Sequence, residues 1–142
     1  MPIDRFILGP GKTALRKGEI LAGVRVKKPE RTVIHHFEKA GQRKAMSISI
    51  ASLAALVRMD SPEKIGTVSL AWGSVGPTVI RSKEIESALT GAELSVKGLK
   101  KVFPLIEDAV FPINDVRASA AYRRRVSSNL LLRLVVSCRG GA

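Results

Sequence analysis

Residues 47–59 read SISIASLAALVRM. Ser and Ile alternate strictly at the start, and from Ala51 onward apolar residues occupy most positions of both parities. A strand that is covered on both faces has this pattern, so the stretch predicts the central strand of a sheet. A helix is the alternative, because Ala and Leu crowd residues 51–56.

Three other segments have the composition of strands, being rich in β-branched, aliphatic or aromatic residues. Short polar links at residues 41–44 and 60–63 flank the central stretch, and links of this length join antiparallel neighbours. Gly66, inside the last segment, marks a bulge or a weak point. The three segments are residues 19–26 (EILAGVRV), 32–39 (TVIHHFEK) and Lys64–Gly73 (KIGTVSLAWG).

After Gly76 and Pro77 the apolar residues recur with the period of a helix. Ser82 is a suitable N-cap for a helix that extends to Leu89, and Ser95 and Ser119 are suitable first residues for two more. Pro104 must kink or shorten the second helix. The third helix is predicted to bury four residues spaced by four against the sheet: Tyr122, Val126, Leu130 and Leu134.

The order of these elements predicts the fold class. Strands that precede helices, without alternating with them, indicate an α+β fold: an antiparallel sheet of three to four strands with helices packed on it. The length of 142 residues suits a single domain over residues 1–142.

Charge is the unusual bulk property, at +12 with 24 basic and 12 acidic residues. The positive electrostatic field of such a chain attracts nucleic acid, anionic lipid or an acidic protein. The basic residues are dispersed and aromatic residues are only 4% of the chain, so a base-stacking surface is poorly supplied. A small basic nucleic-acid-binding domain is therefore the alternative function, with weak, salt-sensitive and non-specific binding expected.

Cysteine content and hydropathy indicate which cellular compartment suits the protein. Cys138 is the only cysteine, which excludes an intramolecular disulfide and is typical of a reducing cytoplasm. The longest apolar stretches are too short to cross a bilayer, so no membrane span is predicted.

The residues that carry chemistry are sparse. Gly11-Lys12-Thr13 ends like a phosphate-binding loop, but Phe6 stands where that loop needs its first glycine. His35 and His36 are neighbours on a predicted strand, so they point to opposite faces and cannot share a metal. No acid–base pair or nucleophile with an adjacent base is visible. This favours a binding or accessory domain over a stand-alone enzyme.

Four segments, in order, resemble one known family. Together they cover nearly the whole chain, and the last is the most specific: residues 9–21 (GPGKTALRKGEIL), 36–49 (HFEKAGQRKAMSIS), 68–86 (VSLAWGSVGPTVIRSKEIE) and 113–135 (INDVRASAAYRRRVSSNLLLRLV). The chain is similar to the C-terminal domain of the FAD-binding subunit of molybdenum hydroxylases, which include xanthine dehydrogenase and carbon monoxide dehydrogenase.

The resemblance implies a place in an oxidoreductase complex. In that family, electrons pass from a molybdopterin subunit through iron–sulfur clusters to FAD, and the domain resembled here covers one side of the flavin. The expected partners are an N-terminal FAD-binding domain and the iron–sulfur and molybdopterin subunits. The glycine-rich segments that grip FAD are absent from residues 1–142, so the chain alone is expected to purify without flavin.

The resemblance also implies site residues. Leu21 matches a leucine that lies against the flavin ring, although a strand leucine is otherwise only a core residue. Lys39, or alternatively Glu38, matches a lysine near the flavin edge. Gln42, Arg43 and Lys44 match a loop that borders the flavin, or form only a solvated turn. Leu21 is expected to be partly exposed, at the same end of the sheet as this loop.

Overall fold

The computed structural model describes residues 1–28, 34–43 and 46–139. The chain starts with a short helix, α1 (Ile3–Phe6), and a small hairpin of β1 (Ile7–Gly9) and β2 (Lys12–Thr13). Gly11 in its turn has φ of 66°, a backbone region that favours glycine. The Gly-Lys-Thr sequence therefore belongs to a β-turn and a strand.

The main sheet has three antiparallel strands: β3 (Ile34–Gly41), β4 (Ser49–Ser61) and β5 (Lys64–Gly73). β4 lies between the other two, which confirms the predicted central strand, although it covers Ser49–Ser61 and not residues 47–59. The bounds of β5 agree with the prediction. Thr32 and Val33, at the predicted start of β3, and Lys44, in the predicted turn, lie outside the described residues.

Gly66 forms a β-bulge. Arg58 pairs with Thr67 and Met59 pairs with Ile65, so Gly66 is the extra residue between two successive pairs. A Cβ atom at this position would overlap the side chain of Asp60 and press on the carbonyl of Arg58. Glycine therefore lets the two strands approach each other closely at the bulge.

Four helices follow: α2 (Lys83–Leu89), α3 (Val96–Lys100), α4 (Phe103–Ala109) and α5 (Ala120–Arg139). The hydroxyl oxygens of Ser82, Ser95 and Ser119 accept hydrogen bonds from the amides of Ile85, Gly98 and Tyr122. All three predicted caps are confirmed. Pro104 lies in the first turn of α4, where its missing N–H costs no helical hydrogen bond, and the predicted second helix is accordingly divided in two.

The core lies between one face of the sheet and the helices. α5 packs on β3 and β4, α2 packs on β5, and α3 and α4 pack on α5. Alternate residues of β4 and β5 point into this core, while their neighbours point to the open face. The strand residues in the core include Leu53, Ala55, Val57, Val68, Leu70 and Trp72.

The strand predicted for residues 19–26 is not observed. They form no helix and pair with no other described strand, and Ile20, Leu21, Val24 and Val26 are all exposed. The composition favours an extended chain, but a strand requires a neighbour to satisfy its backbone groups. Within the described parts of this chain, no such neighbour is present.

Tyr122 is a second correction, because its side chain is 52% exposed. A spacing of four residues drifts on a helix that turns about 100° per residue, so Tyr122 lies about 120° from Leu134 around the axis. Arg123, one residue on, is buried instead, and it lies on the same side of α5 as Ser127, Leu131 and Leu134.

Candidate functional site

Arg123 joins three segments at one end of the sheet, where β4 begins and β5 ends. Its guanidinium donates to the carbonyl oxygens of Ile50 at 2.6 Å and Ser74 at 3.2 Å, and it forms an ion pair with Asp115 at 2.7 Å. The residue is only 3% exposed. By sequence, Arg123 is one of the dispersed basic residues, and its position in the buried stripe of α5 is the signal that distinguishes it.

Asp115 is the anionic partner in this arrangement. Its carboxylate accepts hydrogen bonds from the amides of Arg117 and Ala118 as well as from Arg123. The hydrogen bond from the Arg123 side chain, followed by that from the Arg117 amide, lowers the pKa of Asp115 from 3.8 to about 2. The carboxylate therefore stays ionised and anchors the loop before α5.

The loop after β3 lies at the same end. The ammonium of Lys39 donates to the carbonyl of Ser47 at 3.0 Å, and the guanidinium of Arg43 donates to the carbonyl of Met46 at 2.9 Å. The Gln42 amide group lies 3.5 Å from the carbonyl of Arg117, so this loop touches the segment that Asp115 anchors. Two of the three predicted site residues, Lys39 and Arg43, are thus brought together. Glu38 instead points to the helices and pairs with Arg133 at 3.0 Å.

Large apolar side chains are exposed around this loop. They range from Phe111 at 65% to Val116 at 99%. Ile48, Phe111 and Ile113 line a cavity of about 680 Å³ together with three prolines, and Asp115, Arg117 and Arg123 supply its polar wall. We call this surface the apolar end and define it as Met46, Ile48, Phe111, Ile113 and Val116.

Leu21, the third predicted site residue, lies in the N-terminal segment. It is 56% exposed and lines an open concave surface formed by residues of the first 25 positions, among them Phe6, Leu15 and Val24. Lys39 and Arg43 do not line that surface. The structure therefore leaves Leu21 accessible but does not place it in one cavity with the loop.

The possible metal ligands and the two histidines of the described residues are the remaining candidate groups. No group of three His, Cys, Asp or Glu residues among them could hold a metal ion. His36 is half-buried against α5, where its ring nitrogen lies 2.8 Å from the hydroxyl of Ser137, while His35 is exposed on the other face as predicted. In the same described ranges, no helix is both long and apolar enough to cross a bilayer.

Known proteins resemble this chain over nearly its whole length. It is 30% identical to the xanthine dehydrogenase FAD-binding subunit of Escherichia coli O157:H7, over 99% of this chain and 49% of that protein. It is 25% identical to the nicotinate dehydrogenase FAD-subunit of Eubacterium barkeri, over 96% of this chain and 47% of that protein. The chain thus spans about half the length of these relatives.

A solved structure shows the same fold. Reconstituted CO dehydrogenase from Oligotropha carboxidovorans has a chain that superposes with a TM-score of 0.86 at 26% identity, over 97% of this chain and 48% of that one. A family model, the CO dehydrogenase flavoprotein C-terminal domain, matches residues 35–137, from the second residue of β3 nearly to the end of α5. This chain belongs to the family of CO dehydrogenase flavoprotein C-terminal domains.

Proposed function

We propose that this chain is the C-terminal domain of the FAD subunit of a molybdenum hydroxylase, in which it covers the flavin and docks to the other parts of the complex. The proposal rests on one observation: this chain, which belongs to the family, exposes large apolar side chains to solvent. Leu21 and the apolar end are left open to solvent although the chain has a well-formed core elsewhere. Exposed apolar patches of this kind are typical of interaction sites.

The described residues fit one part of an FAD site. Leu21 offers an uncharged aliphatic surface, which can cover an aromatic ring without adding a charge beside it. Lys39 and Arg43 offer cations that would stabilise negative charge near the ring edge. Glycine-rich segments that would hold the phosphates are not recognisable in residues 1–142. The flavin-binding half of the subunit would hold the FAD phosphates. FAD itself would accept electrons and pass them on.

The apolar end supports docking to a protein. Three of its five apolar residues, Ile48, Phe111 and Ile113, line the cavity. Guanidinium groups outnumber carboxylates there, since Arg117 and Arg123 share Asp115 and Arg43 lies on the adjoining loop. A partner with apolar side chains and carboxylates on its surface would complement it. We assign this role to the iron–sulfur or molybdopterin subunits of the complex.

Substitution of Leu21 tests the flavin contact. In a complete subunit, Leu21→Ala should raise the dissociation constant for FAD about 5- to 150-fold, the equivalent of about 1–3 kcal/mol of lost apolar contact. Lys39→Met should slow electron delivery to the acceptor more than it weakens FAD binding. Flavin fluorescence titration and stopped-flow reoxidation measure the two effects.

Leu8→Ala is the matched control, because Leu8 belongs to the same N-terminal segment, is exposed, and does not line the surface that contains Leu21. It should leave FAD affinity unchanged. The flavin contact would be refuted if Leu21→Ala and Lys39→Met both leave flavin affinity and reoxidation at their original values.

A further inference from the structure

We propose that residues 19–26 (EILAGVRV), called here the junction segment, form a β-strand on the edge of a sheet in the flavin-binding half of the subunit. The partner surface would be the unpaired backbone of a sheet edge that is flanked by apolar side chains. The proposal rests on the proposed function, because it takes the flavin-binding half as the occupant. It adds a main-chain interface to the side-chain contacts already described.

The junction segment is apolar and exposed. Ile20 is 87% exposed, and Leu21, Val24 and Val26 are also exposed. Aliphatic and β-branched residues favour extended backbone and are enriched in strands. In water, a row of such side chains is unfavourable, and it is typical of a segment that is buried by a partner.

Most of the backbone of the junction segment forms no hydrogen bond with other described residues. Glu19 ends a turn in which its amide donates to the carbonyl of Arg16 and its carboxylate accepts from the amide of Arg16. Beyond that turn, residues 20–28 make no backbone hydrogen bond with any other described residue. Extended backbone with free N–H and C=O groups is what an edge strand can pair with.

Alternation gives the segment two different faces. On a strand, Ile20, Ala22, Val24 and Val26 point one way, and Leu21, Gly23 and Arg25 point the other. The first face is entirely apolar and suits burial in a sheet core. The second carries Leu21, which places the residue assigned to the flavin on the opposite side from the buried face.

The occupant follows from the comparisons. The relatives are about twice as long as the part this chain matches, and the family is named for its C-terminal position in the flavoprotein. The junction segment lies near the first residue of this chain, so it is the part closest along the sequence to the remaining half. A sheet edge in that half is therefore the nearest partner for an unpaired strand.

Hydrogen exchange tests this pairing. In the chain alone, amides of residues 20–26 should exchange as fast as those of an unfolded peptide. In the complete subunit, in which the flavin-binding half precedes Met1, the alternate amides that pair should slow at least about 100-fold. This protection should persist after FAD is removed, because it comes from the backbone and not from the cofactor.

Val24→Lys in the complete subunit should abolish this protection, because it places a charge on the buried face. Val136→Lys is the matched control, since Val136 is an exposed valine on α5, and it should leave the protection intact. Fast exchange of residues 20–26 in the complete subunit would overturn the proposal. Slow exchange in the chain alone that depends on its concentration would also overturn it, in favour of pairing between two copies.

The two proposals fail separately. If Leu21→Ala leaves FAD affinity unchanged while residues 20–26 are protected, the flavin contact is wrong and the strand pairing stands. If FAD affinity falls and the amides still exchange fast, Leu21 contacts the flavin from an unpaired segment.

Discussion

Arg123 binds groups on three segments that are far apart in sequence. Its guanidinium donates hydrogen bonds to the carbonyl oxygens of Ile50 and Ser74 and forms an ion pair with the carboxylate of Asp115, all at one end of the sheet. These two carbonyls lie just beyond the last residue pair between β4 and β5, which is Ser52 with Gly73. A buried guanidinium is stable there because its charge is paired and most of its N–H groups are used.

Arg123→Met should therefore destabilise the fold. The substitution keeps the apolar stem but leaves two carbonyls without a donor, and the free energy of unfolding should fall by about 2–4 kcal/mol. Arg133→Met is the matched control on the same helix, because Arg133 forms an exposed pair with Glu38 and should cost less than about 1 kcal/mol. Urea denaturation measures both, and equal losses would contradict the role of Arg123.

The same substitution should change the pH dependence of stability. The pKa of Asp115 is lowered from 3.8 to about 2, mainly by the hydrogen bond from Arg123. A carboxyl with a lowered pKa stabilises the fold above its unfolded pKa, and this contribution is lost as the pH falls from about 4 through about 2. The stability difference between the original chain and Arg123→Met should shrink over that window. A difference independent of pH would show that Asp115 does not contribute.

At the scale of elements, local signals predicted most of the architecture. The periods of two and of 3.6 identified β4, β5 and the helices, and serine caps marked three of the helix starts. These signals are local because they depend on neighbouring residues along the chain. The face that α5 buries was less well predicted, since apolar residues surround much of this helix and only the packing on β3 and β4 selects the buried side.

Gly98 is a residue whose role is set by packing between elements. Glycine inside a helix normally costs about 1 kcal/mol relative to alanine, so Gly98→Ala would be expected to stabilise α3. A Cβ atom at Gly98 would, however, overlap the backbone carbonyl of Glu93. Backbone cannot move aside cheaply, so the substitution should destabilise the fold by about 1–3 kcal/mol.

Thermal unfolding would detect this loss as a lower Tm. Lys97→Ala, at the exposed neighbouring position of α3, should leave the Tm nearly unchanged. A higher Tm for Gly98→Ala would mean that helix propensity, and not the contact with Glu93, determines the outcome.

At the scale of the molecule, positive charge is dispersed and partly neutralised. Exposed arginines in different parts of the chain pair with carboxylates, including Arg58 with Asp60, Arg81 with Glu86 and Arg133 with Glu38. Such pairs reduce the field that a polyanion would meet. The family relationship and this arrangement both favour the flavoprotein function over nucleic-acid binding.

The chain should nevertheless bind nucleic acid weakly. A net charge of +12 supplies a non-specific electrostatic attraction, whose strength falls as salt increases because fewer counterions are released. Affinity for a labelled DNA duplex, followed by fluorescence anisotropy, should drop about tenfold or more between about 50 and 200 mM salt. A second duplex of unrelated sequence should bind equally well. Nanomolar, sequence-selective binding at physiological salt would support the alternative function.

The α+β class, the central strand, the helix caps and the family resemblance can all be read from the sequence, because they depend on composition and spacing along the chain. The burial of Arg123 depends on how the chain folds, since its partners Ile50 and Ser74 are more than forty residues away. The tertiary structure also shows that residues 19–26 pair with no other described strand. A strand is completed by its neighbour, and the side chains of EILAGVRV indicate extended backbone without indicating which chain segment pairs with it.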